Sequence, residues 1–129
     1  MTYGNPVTHD NTVTFGNTVT YGNTLTVVPT CRDEREELFG ALKHETVVVR
    51  CEVDANPPLV SFVWTFNNSG DVAEVPHSRV TSDATISKLN YTPVADMDYG
   101  TLACWGTNAV GRQRSPCIFQ VVAAGKKLY

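Results

Sequence analysis

Two cysteines and a tryptophan constrain this chain more than any other feature. Trp64 follows Cys51 by 13 residues, and Cys104 follows Trp64 by 40. This spacing is typical of a two-layer β-sandwich, in which the cysteines lie on facing sheets and form a disulfide against which the indole packs. Closing the loop between Cys51 and Cys104 removes about 4 kcal/mol of conformational freedom from the unfolded chain. The three residues therefore predict a disulfide-bridged all-β core.

Short apolar runs separated by Gly, Pro, Asn and Ser occupy the chain from Thr30 onward. Runs of this length between turn residues are typical of strands, and no segment predicts a convincing helix. The clearest strands are predicted at 45–53, 59–66, 84–93, 99–107 and 117–122. We therefore predict one all-β domain over residues 30–125, a sandwich of two antiparallel sheets.

Strand alternation assigns side chains to the two faces of each sheet. Because residues two apart on a strand share a face, Leu102 faces the core with Cys104, and Phe62 faces it with Trp64. Leu89 is predicted to face inward by the same alternation. The predicted core residues are therefore Trp64, Leu102, Phe62 and Leu89.

The first 26 residues repeat with a period of six, as YGNPVT, HDNTVT, FGNTVT and YGNTLT. A β-solenoid needs several stacked layers with large apolar residues facing inward, and each unit here offers one Val or Leu and one ring. We predict that residues 1–29 form a low-complexity head that is disordered or weakly extended. Residues 126–129 are predicted to be a short tail.

Cys31 and Cys117 remain once the core pair is assigned. Cys31 falls near the first strand of the sandwich and Cys117 begins the last, and we expect those strands to lie side by side. A second bridge, Cys31–Cys117, is therefore predicted, the alternative being a thiol that is free or bonded to another chain. Two disulfides place the chain in an oxidising compartment.

Two glycosylation sequons point to the same compartment. Asn67 begins Asn67-Asn68-Ser69 and falls in the predicted turn NNSGD, where a glycan would project into solvent. Asn90 begins Asn90-Tyr91-Thr92 and is expected to face outward. The alternative is that both are unmodified surface residues.

Charge and motif content exclude several classes of function. The formal net charge is −3 and the basic residues are scattered, so no nucleic-acid partner is expected. No apolar run reaches the length of about 18 residues that suggests a membrane span, and the N-terminus lacks the pattern of a signal peptide. Neither a phosphate loop, a nucleophile elbow nor zinc-ligand spacing occurs. We expect no catalysis, metal, cofactor or small-molecule substrate.

Two segments resemble known strands. CEVDANPPLVSFVW is similar to the B-to-C region of I-set or C2-type immunoglobulin domains, and CWGTNAVG to their F-to-G hairpin. The resemblance implies an immunoglobulin-like sandwich and a structural ion pair between Arg79 and Asp98. Leu102 stands where the family motif D-x-G-x-Y-x-C has tyrosine. The hydroxyl-to-backbone bond of the tyrosine corner, worth about 1 kcal/mol, is then expected to be lost.

The body from Cys31 through Gly125 resembles one immunoglobulin domain of the sidestep family of insect cell-surface receptors. The resemblance rests on ANPPLVSFVWTFNNS, YTPVADMDYGTLACWGTNAVGRQRSPC and FQVVAAG. It implies recognition by beaten-path-type immunoglobulin proteins, in axon guidance or synaptic partner matching. It also implies a place on the extracellular side of the plasma membrane. Family members resemble type I membrane proteins, so we expect this chain to be a fragment, attached to the membrane only through parts that it lacks.

A partner-binding surface is predicted around Trp105. This residue is next to inward-facing Cys104, so it faces outward beside Val63 and Thr65, and an exposed indole with β-branched neighbours is typical of an interface. The alternative is local packing, with Arg112 or Arg114 lying over the ring. The competing hypotheses for the whole domain are a structural spacer or a secreted decoy without a direct ligand.

Overall fold

The computed structural model describes residues 12–15, 18–21 and 24–125, which form twelve strands in two packed sheets. The strands are β1 Thr12–Phe15, β2 Thr18–Tyr21, β3 Thr24–Cys31, β4 Glu37–Ala41, β5 Val47–Asn56, β6 Ser61–Asn68, β7 Asp71–Glu74, β8 Val80–Asp83, β9 Ile86–Tyr91, β10 Gly100–Asn108, β11 Gly111–Arg112 and β12 Cys117–Ala123. Within these ranges the helical segments are two short 3-10 turns, His77–Arg79 and Asp96–Asp98. None of the described helices is long and apolar enough to cross a membrane. The predicted all-β sandwich is confirmed.

The first sheet has the order β1-β2-β3-β5-β9-β8, and every neighbouring pair is antiparallel. The long strand β5 alternates between buried and more exposed residues. Val49, Cys51 and Val53 face the core, while Arg50 and Asp54 are exposed. This alternation is what a sheet with one face on the core and one in water requires.

The second sheet has the order β4-β12-β10-β6-β7, with the short β11 also paired to β10. The pair β12–β4 is parallel, whereas the other described pairs of this sheet are antiparallel. Two purely antiparallel sheets were expected. The difference arises because the chain leaves the first sheet after β3, crosses at residues 32–36 and enters the second sheet as β4, running in the direction of β12.

Both predicted disulfides are confirmed, and both cross the sandwich. Cys51 on β5 bonds Cys104 on β10, and Cys31 on β3 bonds Cys117 on β12. Cys104 and Cys117 are directly opposite each other on neighbouring strands, so the two bridges lie side by side. The expectation that β3 and β12 adjoin in one sheet is wrong, since they belong to facing sheets and β4 lies beside β12.

Trp64 occupies the middle of the core and is 1% exposed. Its Nε1–H donates to the Ser87 hydroxyl at 2.9 Å, which satisfies the polar end of the ring. The Phe119 ring lies 5.6 Å from the indole, centroid to centroid. Phe62, Leu89 and Leu102, which alternation assigned to the interior, are also buried. Fully burying a side chain of this kind stabilises the fold by about 1.5–3 kcal/mol.

The described part of residues 1–29 is more ordered than the disordered or weakly extended head expected for the segment. Its described part forms β1, β2 and most of β3, and Pro29 is fully buried. Asn108 donates from Nδ2 to the Val27 carbonyl at 2.9 Å, and Asn56 donates from Nδ2 to the Leu25 carbonyl. Residues 25–29 are therefore part of the sandwich. Residues 1–11, 16–17 and 22–23, and the predicted tail 126–129, lie outside the described residues.

Candidate functional site

Three neighbouring strands of the second sheet, β6, β10 and β12, present an outer surface without charge, here named the uncharged face. Trp105 on β10 lies directly opposite Val63 on β6, and Ala103 lies opposite Thr65. The residues of this face are Ser61, Val63, Thr65, Asn67, Thr101, Ala103, Trp105, Thr107, Ile118, Gln120 and Val122. The ladder thus brings together the three residues predicted to bind a partner.

The outer surface of the first sheet has the opposite character. Arg32 pairs with Glu52 at 3.0 Å and with Asp54 at 2.8 Å, and Arg50 pairs with Glu52 at 3.1 Å. The hydrogen bonds from the Arg32 guanidinium to Asp54 raise the pKa of that arginine. Lys88 on β9 lies opposite Arg50 and adds a further charge. The outward residues of β6, β10 and β12 therefore lack the charges of the first sheet and are easier to desolvate. Two charged side chains flank them, Glu74 on β7 opposite Thr65 and Arg112 over Trp105.

Trp105 is half-buried rather than fully exposed, because Arg112 covers one side of its ring. The guanidinium carbon of Arg112 lies 4.2 Å from the ring centroid, which is cation–π geometry. Arg112 reaches this position because it lies opposite Thr107 on the β10–β11 ladder, two residues beyond the tryptophan. The local packing weighed in the sequence analysis is thus present, and Val63, 37% exposed, is the more open member of the pair.

The two sequon asparagines lie on opposite faces of the molecule. Asn90 is exposed on β9, opposite Val48, on the charged sheet. Asn67 is exposed on β6 and opposite Thr101, so it belongs to the strand and to the uncharged face rather than to the turn expected for it. Its Oδ1 accepts the Gly70 N–H at 3.0 Å and so helps to close the turn.

The corner between β9 and β10 keeps a tyrosine hydrogen bond although Leu102 replaces the usual tyrosine. Tyr91, at the end of β9, donates its hydroxyl to the Asp98 carbonyl at 2.5 Å. Burial, with a smaller contribution from the Asp98 carboxylate, raises the pKa of Tyr91 to about 12. A tyrosine hydrogen bond is thus supplied from β9, the preceding strand in the sequence, which lies in the facing sheet. Alternation along β9 was the sequence signal for an inward Tyr91.

The predicted ion pair between Arg79 and Asp98 is absent from the ion pairs of the described residues. Asp98 instead accepts the backbone N–H groups of Val94 and Ala95, each at 2.9 Å. Arg79 acts only at longer range, where its charge opposes the rise in the Tyr91 pKa. The Asp98 carboxylate therefore stabilises the turn through hydrogen bonds instead of forming an ion pair with Arg79.

Gln113 is a structural residue that sequence reasoning missed. Its side chain is 3% exposed, and its Nε2 donates to the Ser115 carbonyl at 3.0 Å. The same nitrogen lies 3.4 Å from the sulfur of Cys31 and 3.5 Å from that of Cys117. Its Oε1 accepts the Gly106 N–H. The Gln113 amide thus joins the second disulfide to the β10–β11 hairpin. No spacing pattern in the sequence predicts this role.

Comparison with known proteins agrees with this geometry. The model of the immunoglobulin domain family matches residues 40–115, which is more than half of the chain. The chain belongs to the immunoglobulin domain family. Within this immunoglobulin domain, the uncharged face is part of the outer surface of the sheet that holds Cys104 and Trp64. The charged surface belongs to the sheet that holds Cys51.

Solved structures share the fold at low sequence identity. The titin tandem A164-A165 is 23% identical with a TM-score of 0.58, over 76% of this chain and 48% of that one. The complex of titin M10 with obscurin-like 1 is 19% identical with a TM-score of 0.52, over 76% and 97%. The N-terminal four immunoglobulin domains of Dscam1 isoform 4.44 are 15% identical with a TM-score of 0.55, over 82% and 32%. This chain therefore spans less than half of the titin tandem and about a third of the Dscam1 fragment.

Proposed function

We propose that this immunoglobulin domain is an extracellular recognition module that binds another immunoglobulin-type protein through its uncharged face. The carrying observation is the contrast between the two sheets. Eleven residues on three adjacent strands carry no formal charge, whereas Arg32, Arg50, Glu52 and Asp54 cluster on the other sheet. A surface with few charged residues and an aromatic ring is typical of a protein interface.

Exposed apolar side chains support this assignment. Val63 and Val122 are 37% and 39% exposed on the face itself, and Leu38, opposite Gln120 on β4, is 71% exposed. Trp105 lies between Val63 and the Arg112 guanidinium, so apolar and cationic contacts are available at one end. Tryptophan and arginine are the residue types most enriched in binding hot spots.

The nature of the partner is proposed from the likenesses. The chain resembles domains of the sidestep family, which implies beaten-path-type immunoglobulin proteins as partners, and a role in axon guidance or synaptic partner matching. The solved titin M10–obscurin-like 1 complex is a pair of immunoglobulin-type proteins, and each likeness supports a protein rather than a small molecule as the ligand. The two disulfides support an oxidising, extracellular setting.

The test uses the full chain, produced through a secretory route and presented to a panel of beaten-path-type ectodomains. Val63→Arg places a charge beside Trp105 on the uncharged face, and binding is expected to weaken by at least about tenfold. Val48→Arg is the matched control, since Val48 is an exposed valine on the charged sheet. Trp105→Ala is expected to weaken binding as Val63→Arg does.

A second candidate function is that of a structural spacer, and the Arg112 contact that covers Trp105 favours it. A spacer binds none of the panel while remaining folded and oxidised. Equal loss of binding in Val63→Arg and Val48→Arg would assign recognition to another part of the surface. Loss in Val63→Arg alone identifies the uncharged face.

A further inference from the structure

The hexapeptide repeats have no place in the uncharged face, yet the structure builds strands from them. β1, β2 and β3 begin at Thr12, Thr18 and Thr24, which are the same position in successive repeats. β1 pairs antiparallel with β2, and β2 with β3. One copy of the repeat therefore pairs with the next, in the same register each time.

The register determines which backbone groups of β1 remain available. Phe15 lies opposite Thr18, with two residues between them in the sequence, and Val13 lies opposite Thr20. With a two-residue connection, the flanking pair exchanges both hydrogen bonds, and the pattern then alternates along the ladder. Phe15 and Val13 thus bond to β2. The N–H and C=O groups of Thr12 and Thr14 point to the opposite side, which is the edge of the sheet.

This edge differs from the other edges among the described strands. The sheet orders make β1, β8, β4 and β7 the edge strands. Asp83 lies in β8, Glu37 in β4, and Asp71 and Glu74 in β7. Charge or proline on an edge strand hinders the addition of another strand. β1, with the sequence TVTF, has neither.

We propose that β1 of one molecule pairs antiparallel with β1 of a second copy and joins the first sheets of both into one continuous sheet. The carrying observation is the β1–β2 ladder, in which TVTF already pairs with TVTY, a strand that differs from it at one residue. Antiparallel pairing of identical strands is self-complementary and gives a closed two-fold dimer. This dimer leaves the uncharged face free, because that face belongs to the other sheet.

The dimer has a defined register. Thr12 and Thr14 supply the outward hydrogen bonds. When the two-fold axis passes beside Val13, the outward groups of both threonines can bond to the other copy, and Thr12 of one copy lies opposite Thr14 of the other. Val13 then lies opposite Val13 as a non-hydrogen-bonded pair, with Cα atoms about 4.5 Å apart. This separation lies within the range in which two cysteines form a disulfide.

The first experiment measures the mass of the full chain by light scattering over a range of concentrations. The wild-type protein is expected to be a dimer that dissociates on dilution. Thr14→Pro removes an outward N–H while leaving the β1–β2 bonds in place, so it is expected to give a monomer. Thr14→Val keeps the N–H and is expected to remain dimeric. A folded, oxidised Thr14→Pro protein that is still dimeric would overturn the proposal.

The second experiment tests the register directly. Val13→Cys is expected to form an interchain disulfide under mild oxidation, seen as a dimer band on a non-reducing gel, and Thr14→Cys far less. Equal cross-linking of the two variants contradicts the two-fold register. A wild-type chain that is monomeric at every concentration contradicts the dimer itself, and leaves a segment of the same chain as the candidate to pair with β1.

Discussion

At the scale of single residues, Tyr91 compensates for Leu102. The usual tyrosine of this corner reaches backbone from β10, whereas here the hydroxyl comes from β9 and bonds the Asp98 carbonyl. Phe66 stacks on the Tyr91 ring at 5.8 Å, so the ring is held while its hydroxyl bonds. Leu102 is 0% exposed, so its side chain is enclosed by the core at the same corner.

Removing the Tyr91 hydroxyl should destabilise the domain. Tyr91→Phe keeps the stacked ring but leaves the Asp98 carbonyl without this donor, and the free energy of unfolding is expected to fall by about 1 kcal/mol. Denaturant titration of both proteins measures the difference.

Restoring the usual residue with Leu102→Tyr is expected to cost about 1–3 kcal/mol by overpacking. A Leu102→Tyr domain as stable as wild type would show that the corner has room for both rings.

The titration of Tyr91 can be observed separately. Folding raises the pKa of this phenol to about 12, so the neutral form is favoured in the folded state. Its contribution to stability is complete below the unfolded-state pKa of about 10 and is lost as the pH rises through the folded-state value. The phenolate absorbance that is missing from Tyr91→Phe should therefore appear in the wild-type protein at a higher pH than the phenolate absorbance of the other tyrosines. A difference spectrum with its midpoint near pH 10 would contradict this.

At the scale of strands, alternation along a strand predicted which face a side chain lies on, but the path of the chain between the two sheets could not be predicted. Alternation on β6 and β10 put Val63 and Trp105 on one face because each strand's period is set by its own backbone. The position of β3 opposite β12 could not be predicted, since it depends on the chain changing sheets at residues 32–36. The Arg79–Asp98 prediction failed for a related reason, because nearby N–H groups of the turn occupy the carboxylate.

The second disulfide should contribute a large share of stability. Because Cys51–Cys104 bypasses 53 of the 86 residues that separate Cys31 from Cys117, removing Cys31–Cys117 restores the freedom of an effective loop of about 33 residues. The double variant Cys31→Ala/Cys117→Ala is expected to lose about 4 kcal/mol in the chain-entropy treatment. Replacing both cysteines avoids an unpaired thiol. A loss below about 1 kcal/mol would mean that the unfolded chain gains little freedom from this bridge.

At the scale of the whole molecule, the two sequons have different consequences for recognition. A glycan on Asn90 projects from the charged sheet, whereas one on Asn67 stands at the end of the uncharged face. Asn67 is four residues from Val63 on the same strand, about 13 Å along β6. The first core sugars of a glycan span that distance, so the Asn67 glycan is expected to compete with a partner.

Removing each sequon should therefore affect binding differently. Ser69→Ala abolishes the first sequon and preserves the Asn67 bond to Gly70, and it is expected to strengthen binding to a beaten-path-type partner. Asn90→Gln removes the second sequon and is expected to leave the affinity unchanged. Intact mass before and after enzymatic deglycosylation establishes occupancy, and surface binding assays give the affinities. Stronger binding in Asn90→Gln than in Ser69→Ala would place the partner on the charged sheet.

The position of Cys31–Cys117 also determines how the domain carries mechanical load. When the chain is pulled from both ends, tension enters at β3, passes through the covalent bond between the sulfurs and leaves along β12. Nearly everything between the two cysteines, including Trp64 and the uncharged face, lies off this path. Stretching can lengthen only the segments that lie outside the Cys31–Cys117 disulfide. Tension applied to the two ends of the chain is therefore expected to leave the sandwich between the two cysteines folded.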